Sequence, residues 1–147
     1  METNEKHIQP TGRLLINTFR VFEKKLLAEL QQQGFPDITL SHLNVIRHLN
    51  PEGMKLIELA KDATLSKQAI SKIGSNLEQK GYIKIGSDSS DGRAKTVKFT
   101  RKGEQLIDAA IDVTQNIEQH YETLLGNQSY TLLRESLNTL LRDGNDA

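Results

Sequence analysis

The chain has 147 residues, 36% of them hydrophobic and 26% charged, which is room for one real core and too little for two large domains. It contains no cysteine, so disulfides, thiolate metal sites and thiol redox sensing are excluded. Its formal charge is zero, but residues 61–103 hold ten Lys/Arg against four Asp/Glu, a local +6, and the remainder carries −6, the split expected if one face meets phosphate.

The N-terminal METNEKHIQP lacks the apolar core of a secretory signal, and no run of about 18 apolar residues follows, so a cytoplasmic protein without membrane partners is expected. From Thr11 to Gln33, Leu15, Phe19, Phe22, Leu26 and Leu30 fall on one helical stripe that Gly34 and Pro36 end. Thr39 is placed to cap a second helix with Leu43, Ile46 and Leu49 inward, broken at Pro51-Glu52-Gly53. A third helix, about Lys55 to Ala63, turns Leu56, Leu59, Ala60 and Ala63 to one side. After a turn through Thr64 and Leu65, Ser66 caps a fourth helix that stops at Gly81. Its buried stripe is Ala69, Ile70, Ile73 and Leu77; its free face is Lys67, Gln68, Ser71, Lys72 and Ser75, without a carboxylate.

From Tyr82 to Thr100 the period shifts toward two around a turn-rich GSDSSDG, which predicts a two-stranded hairpin with a long tip. A long helix after Gly103 carries Leu106, Ala110, Val113, Ile117, Tyr121 and Leu124 like a heptad seam, and a last helix, about Ser129 to Arg142, carries Leu132, Leu133, Leu137, Leu140 and Leu141. The fold class expected is mainly α: a winged helix-turn-helix with a two-stranded β wing, in residues 35–103, flanked by long terminal helices in residues 1–34 and 104–147.

A helix pair whose second member presents short hydrogen-bonding side chains meets the demands of major-groove reading of double-stranded DNA. Gln68, Ser71 and Lys72 are candidates for base edges, while Ser66, Lys67 and Ser75 would position the helix on phosphate. Arg93, at the hairpin tip, suits a minor groove; Asp91 and Gly92 would hold the tip, and Lys95 follows it on the same strand. A polar helix face alone is more often merely a solvated face, a reading that the basic hairpin tip reverses; a winged helix used for protein contact is the alternative.

Asp37-Ile38-Thr39, LSKQAISKIGSNLEQKGYI from Leu65 to Ile83, and D-x-R followed by FTRKG resemble the multiple-antibiotic-resistance regulator (MarR) family of bacterial transcription factors, over about Thr11 to Arg142. The resemblance implies a dimeric repressor of a palindromic operator, with Ser66 to Lys80 as recognition helix and Asp91 to Arg93 as wing tip. It also implies a small effector where the dimer helices meet the DNA-binding lobe, near His42, Arg47 and His48. His42 stands where many relatives have Gln, and Gly74 lies inside the recognition helix, at about 1 kcal/mol relative to Ala; a tight crossing against a neighbouring helix is the expected reason.

The terminal stripes call for a partner, and a second copy is the economical one: Leu15, Phe19, Phe22, Val113, Ile117, Tyr121, Leu133, Leu137 and Leu140 are the candidate dimerisation residues. No metal site is expected from four scattered histidines, His7, His42, His48 and His120, and no cofactor or catalytic residue from a chain without a P-loop, dinucleotide fingerprint, G-x-S-x-G or H-E-x-x-H. Tyr82 and Phe99 suit strand or core positions better than an RNA-stacking platform.

Overall fold

A computed structural model describes residues 9–87 and 94–146. Along these the elements are α1 (Thr11–Gln32), α2 (Leu40–Ile46), β1 (Met54–Lys55), α3 (Leu56–Asp62), α4 (Lys67–Gln79), β2 (Ile83–Ser87), β3 (Lys95–Phe99), α5 (Arg101–Leu125) and α6 (Asn127–Asn145). The chain divides into two compact units, Met1–Ala110 and Ile111–Ala147. No helix among the described residues is long and apolar enough to cross a membrane.

In the first unit, Leu30, Ile38, Val45, Leu59, Ile70, Leu77, Tyr82, Ile83 and Val97 are fully buried. Thr39 caps α2 as expected, in a reciprocal pair: the His42 backbone N–H donates to Thr39 Oγ1, and the Thr39 N–H donates to His42 Nδ1. Gly81, at φ +85°, ends α4, letting the Tyr82 N–H donate to the Leu77 carbonyl at 3.0 Å. The wing is the expected hairpin, with Ile83 opposite Phe99 and Ile85 opposite Val97.

Three local expectations are corrected. The sheet has a third strand, ordered β1-β3-β2, because Met54 and Lys55 pair with Val97 and Thr96; two residues are too few to show a strand period. Lys55 is therefore in β1, and the third helix begins at Leu56. The fifth helix begins at Arg101 rather than after Gly103, with Thr100 Oγ1 accepting from the Gly103 N–H at 3.1 Å. Gly103 is thus not a helix breaker: a Cβ there would run into the Tyr82 carbonyl oxygen and lie 2.9 Å from the Phe99 ring, so the residue permits a close approach.

Among the described residues the apolar side chains in the first half of α1 stay largely exposed, with the Arg47 guanidinium standing over the Phe19 ring at 4.8 Å. Leu26 and Leu30 are buried, but Leu15 is 43% and Phe19 42% exposed, with Phe22 half-buried. In the second unit, Val113 and Ile117 are buried and Tyr121 and Leu137 half-buried, while Leu133 and Leu140 are exposed beside Leu124, Leu132 and Leu141. Gly126 separates its helices, and Arg134 reaches from α6 to Glu118 on α5 at 3.6 Å.

Candidate nucleic-acid interface

Leu56, Leu59 and Ala60 of α3 are buried, and α4 turns Ile70, Gly74 and Leu77 to the same core. With those positions inward, Lys67, Gln68, Ser71, Lys72 and Ser75 are all exposed on the opposite side of α4. Ser66 caps the helix by accepting from the Ala69 N–H at 3.1 Å, which leaves its hydroxyl hydrogen free to donate to an anion. Lys95 opens β3, and a cavity of about 260 Å³ has Lys67, Ser71 and Lys95 in its lining above Leu56, Ile57 and Ile70. The fold thereby brings Lys95 of β3 beside two exposed residues of α4. Asp91, Gly92 and Arg93 lie outside the described residues.

No ion pair among the described residues engages Lys67, Lys72 or Lys95. The one carboxylate of α4, Glu78, points to the wing, where its Oε2 accepts from the Ile85 N–H at 2.6 Å. Lys84 and Lys98 lie directly opposite in the β2–β3 register and both are exposed. Like charges so placed repel, by up to about 1 kcal/mol, so the hairpin keeps a basic surface against its own stability. Sequence reasoning passed over these two because alternation along one strand does not reveal which residue it meets across the sheet.

A polar joint fastens the far end of α4. His42, 5% exposed, places Nε2 2.7 Å from Asn76 Oδ1, and Lys80 Nζ donates to the Asp37 carbonyl at 2.9 Å. Tyr82 Oη donates to Asp37 Oδ1 at 2.6 Å. That hydrogen bond chiefly holds the Asp37 carboxyl below its usual range, and burial, aided by Asp37, pushes the Tyr82 phenol well above its own. Burial lowers the His42 imidazole, against the acceptor Asn76. Asn76 and Glu78 were not singled out from sequence, and Tyr82 was read there without its tie to Asp37, since their partners lie on other elements.

The expected reason for Gly74 is corrected. Its nearest neighbour is a strand side chain, Ile85 Cδ1, 3.4 Å from where a Cβ would stand, with Leu56 Cδ1 of α3 at 4.0 Å. Those are ordinary contacts, not a tight helix crossing.

Solved structures share this fold over most of the chain. A crystal structure of MarR superposes with a TM-score of 0.79 over 95% of this chain and 100% of its own, at 23% identity. The chain has the MarR fold. Among other MarR-fold structures, a MarR variant from E. coli complexed with operator DNA matches at a TM-score of 0.73 over 90% of this chain and 94% of its own, at 22% identity. A MepR–DNA complex from S. aureus matches at 0.72 over 92% and 99%, at 21% identity. By sequence, the transcriptional regulator HosA of Escherichia coli O157:H7 is 24% identical over 113 residues, 74% of this chain and 84% of the relative. No family model matches.

Proposed function

We propose that this protein is a sequence-specific double-stranded-DNA-binding transcriptional regulator, a dimeric repressor of a palindromic operator that a small ligand releases. The observation that carries the reading is the outer face of α4, where Lys67, Gln68, Ser71, Lys72 and Ser75 are all exposed and the helix's one carboxylate is tied to the wing. The MarR fold, met in proteins crystallised with DNA, supports it. In this reading Gln68, Ser71 and Lys72 read base edges, Ser66, Lys67 and Ser75 hold phosphate, Lys95 extends the contact onto the wing, and Arg93, supported by Asp91 and Gly92, enters the minor groove.

Residues 35–103 form the DNA-binding lobe, and residues 1–34 with 104–147 the dimerisation region, acting in the cytoplasm. Uncovered apolar surface on α1 and on α6 supports a second copy as partner. Leu15, Phe19, Leu133 and Leu140 offer it exposed side chains and Phe22, Tyr121 and Leu137 half-buried ones, while Val113 and Ile117, of the same dimerisation set, are buried within the chain. Two copies set two recognition helices on successive major grooves.

The test is a selection of bound fragments from the source genome, followed by titration against salt. A shared palindrome, with affinity falling steeply as salt rises, is the expected result. Binding that ignores sequence and is matched by an acidic polypeptide would favour the protein-contact reading instead.

A further inference from the structure

His42 has no part in the DNA contacts proposed above, yet it lies beneath the helix that makes them. Both of its ring nitrogens are engaged: Nδ1 accepts from the Thr39 N–H at 3.0 Å, and Nε2 sits 2.7 Å from Asn76 Oδ1. A backbone N–H can only donate, so Nδ1 carries no proton; the ring proton is on Nε2 and is donated to Asn76. Asn76 adjoins Ser75 on α4, while Thr39 caps α2, so one imidazole spans from the cap of one helix to the body of the other.

We propose that His42 is a positioning residue for DNA reading, a neutral strut that sets α4 on α2 and lets go when its ring takes a second proton. The inference rests on the DNA-binding reading above. A proton on Nδ1 would face the Thr39 N–H, donor against donor, so the cap and the strut cannot both survive. The charged groups around the ring are Lys80 on α4, which opposes its protonation, and Asp37 before α2, which favours it. Asp37 is itself occupied by the Tyr82 hydroxyl, and Lys102 of α5 stands over the Tyr82 ring at 4.3 Å. With the native imidazole lowered by burial and the released one near 6.5, the released or unfolded state binds the extra proton. The strut is therefore fully effective above about pH 6.5 and is lost as pH falls below it. Glutamine offers an acceptor for Thr39 and a donor for Asn76, and does not titrate.

The experiment uses the full chain and a duplex that the wild type retains from a randomised library at about pH 7.5. At that pH His42→Ala and Asn76→Ala should each weaken binding about tenfold, the double variant no more than either single one, and His42→Gln should stay within about threefold of wild type. Lowering the pH to about 5.5 should weaken wild-type binding at least about fivefold more than that of His42→Gln. Nitrogen NMR of the imidazole should place the proton on Nε2. Should His42→Ala fail to fold, Asn76→Ala and His42→Gln carry the test. Equal pH responses of wild type and His42→Gln, a proton on Nδ1, or Asn76→Ala binding like wild type would each overturn the strut while DNA binding stands. Failure of the wild type to retain any duplex overturns the DNA-binding reading itself.

Discussion

Glu78 of α4 and Ile85 of β2 are joined by a 2.6 Å hydrogen bond from the strand's backbone N–H to the carboxylate. The bond ties α4 to the wing, covers a donor on the outer edge of the sheet, and takes the helix's negative charge away from its cationic face. Glu78→Gln keeps an acceptor and should leave stability nearly unchanged. Glu78→Ala should cost about 1 kcal/mol in urea unfolding and speed hydrogen exchange at the Ile85 amide. An Ile85 amide exchanging at the wild-type rate in Glu78→Ala would count against the tie.

Gly103 lies against the backbone of Tyr82 inside the first turn of α5. Gly103→Ala should therefore destabilise by about 2 kcal/mol or more, despite alanine's better helix propensity, because a backbone carbonyl rather than a flexible side-chain end stands in the way. A rise in thermal midpoint would contradict the close approach.

Gly74 predicts the opposite sign. A methyl group there meets Ile85 Cδ1 at ordinary contact distance, so Gly74→Ala should raise stability by about 0.5 kcal/mol, while Gly74→Leu should destabilise by overpacking. Denaturant midpoints of the two variants decide it.

Thr64 occupies the left-handed region at φ 57°, at the position after α3 where glycine is favoured; the Leu65 N–H donates to the Ala60 carbonyl at 2.9 Å to close the helix end. A β-branched residue is strained there, so Thr64→Gly should stabilise the fold by about 1 kcal/mol by chemical denaturation. Thr64→Val should bring no gain.

The Asp37–Tyr82 pair predicts two pH limbs. Asp37 is held low in the native state, so the unfolded chain binds its proton first as acid is added; its contribution is full above about pH 4 and lost as pH falls through the native value. Tyr82 is held high, so the unfolded chain releases its proton first; its contribution is full below about pH 10 and lost as pH rises beyond it. Tyr82→Phe should flatten both limbs of a stability-against-pH curve. Unchanged slopes would show that the hydrogen bond carries no linkage.

The helix-turn-helix and hairpin were legible in the sequence because period, capping and stop signals are local: Ser66 and Thr39 cap as read, Gly81 stops α4, and Ile83, Ile85 and Val97 alternate inward. The exposed polar face of α4 was legible too, since burying Ile70 and Leu77 dictates which side remains. What only the tertiary structure decided are relationships between residues distant in the chain: Met54 pairing with Val97, Lys84 facing Lys98, Glu78 reaching Ile85, and His42 joining Asn76. Local periodicity reports the face on which a residue lies. Its partner there depends on how separate elements pack, a condition no single helix or strand carries in its own sequence.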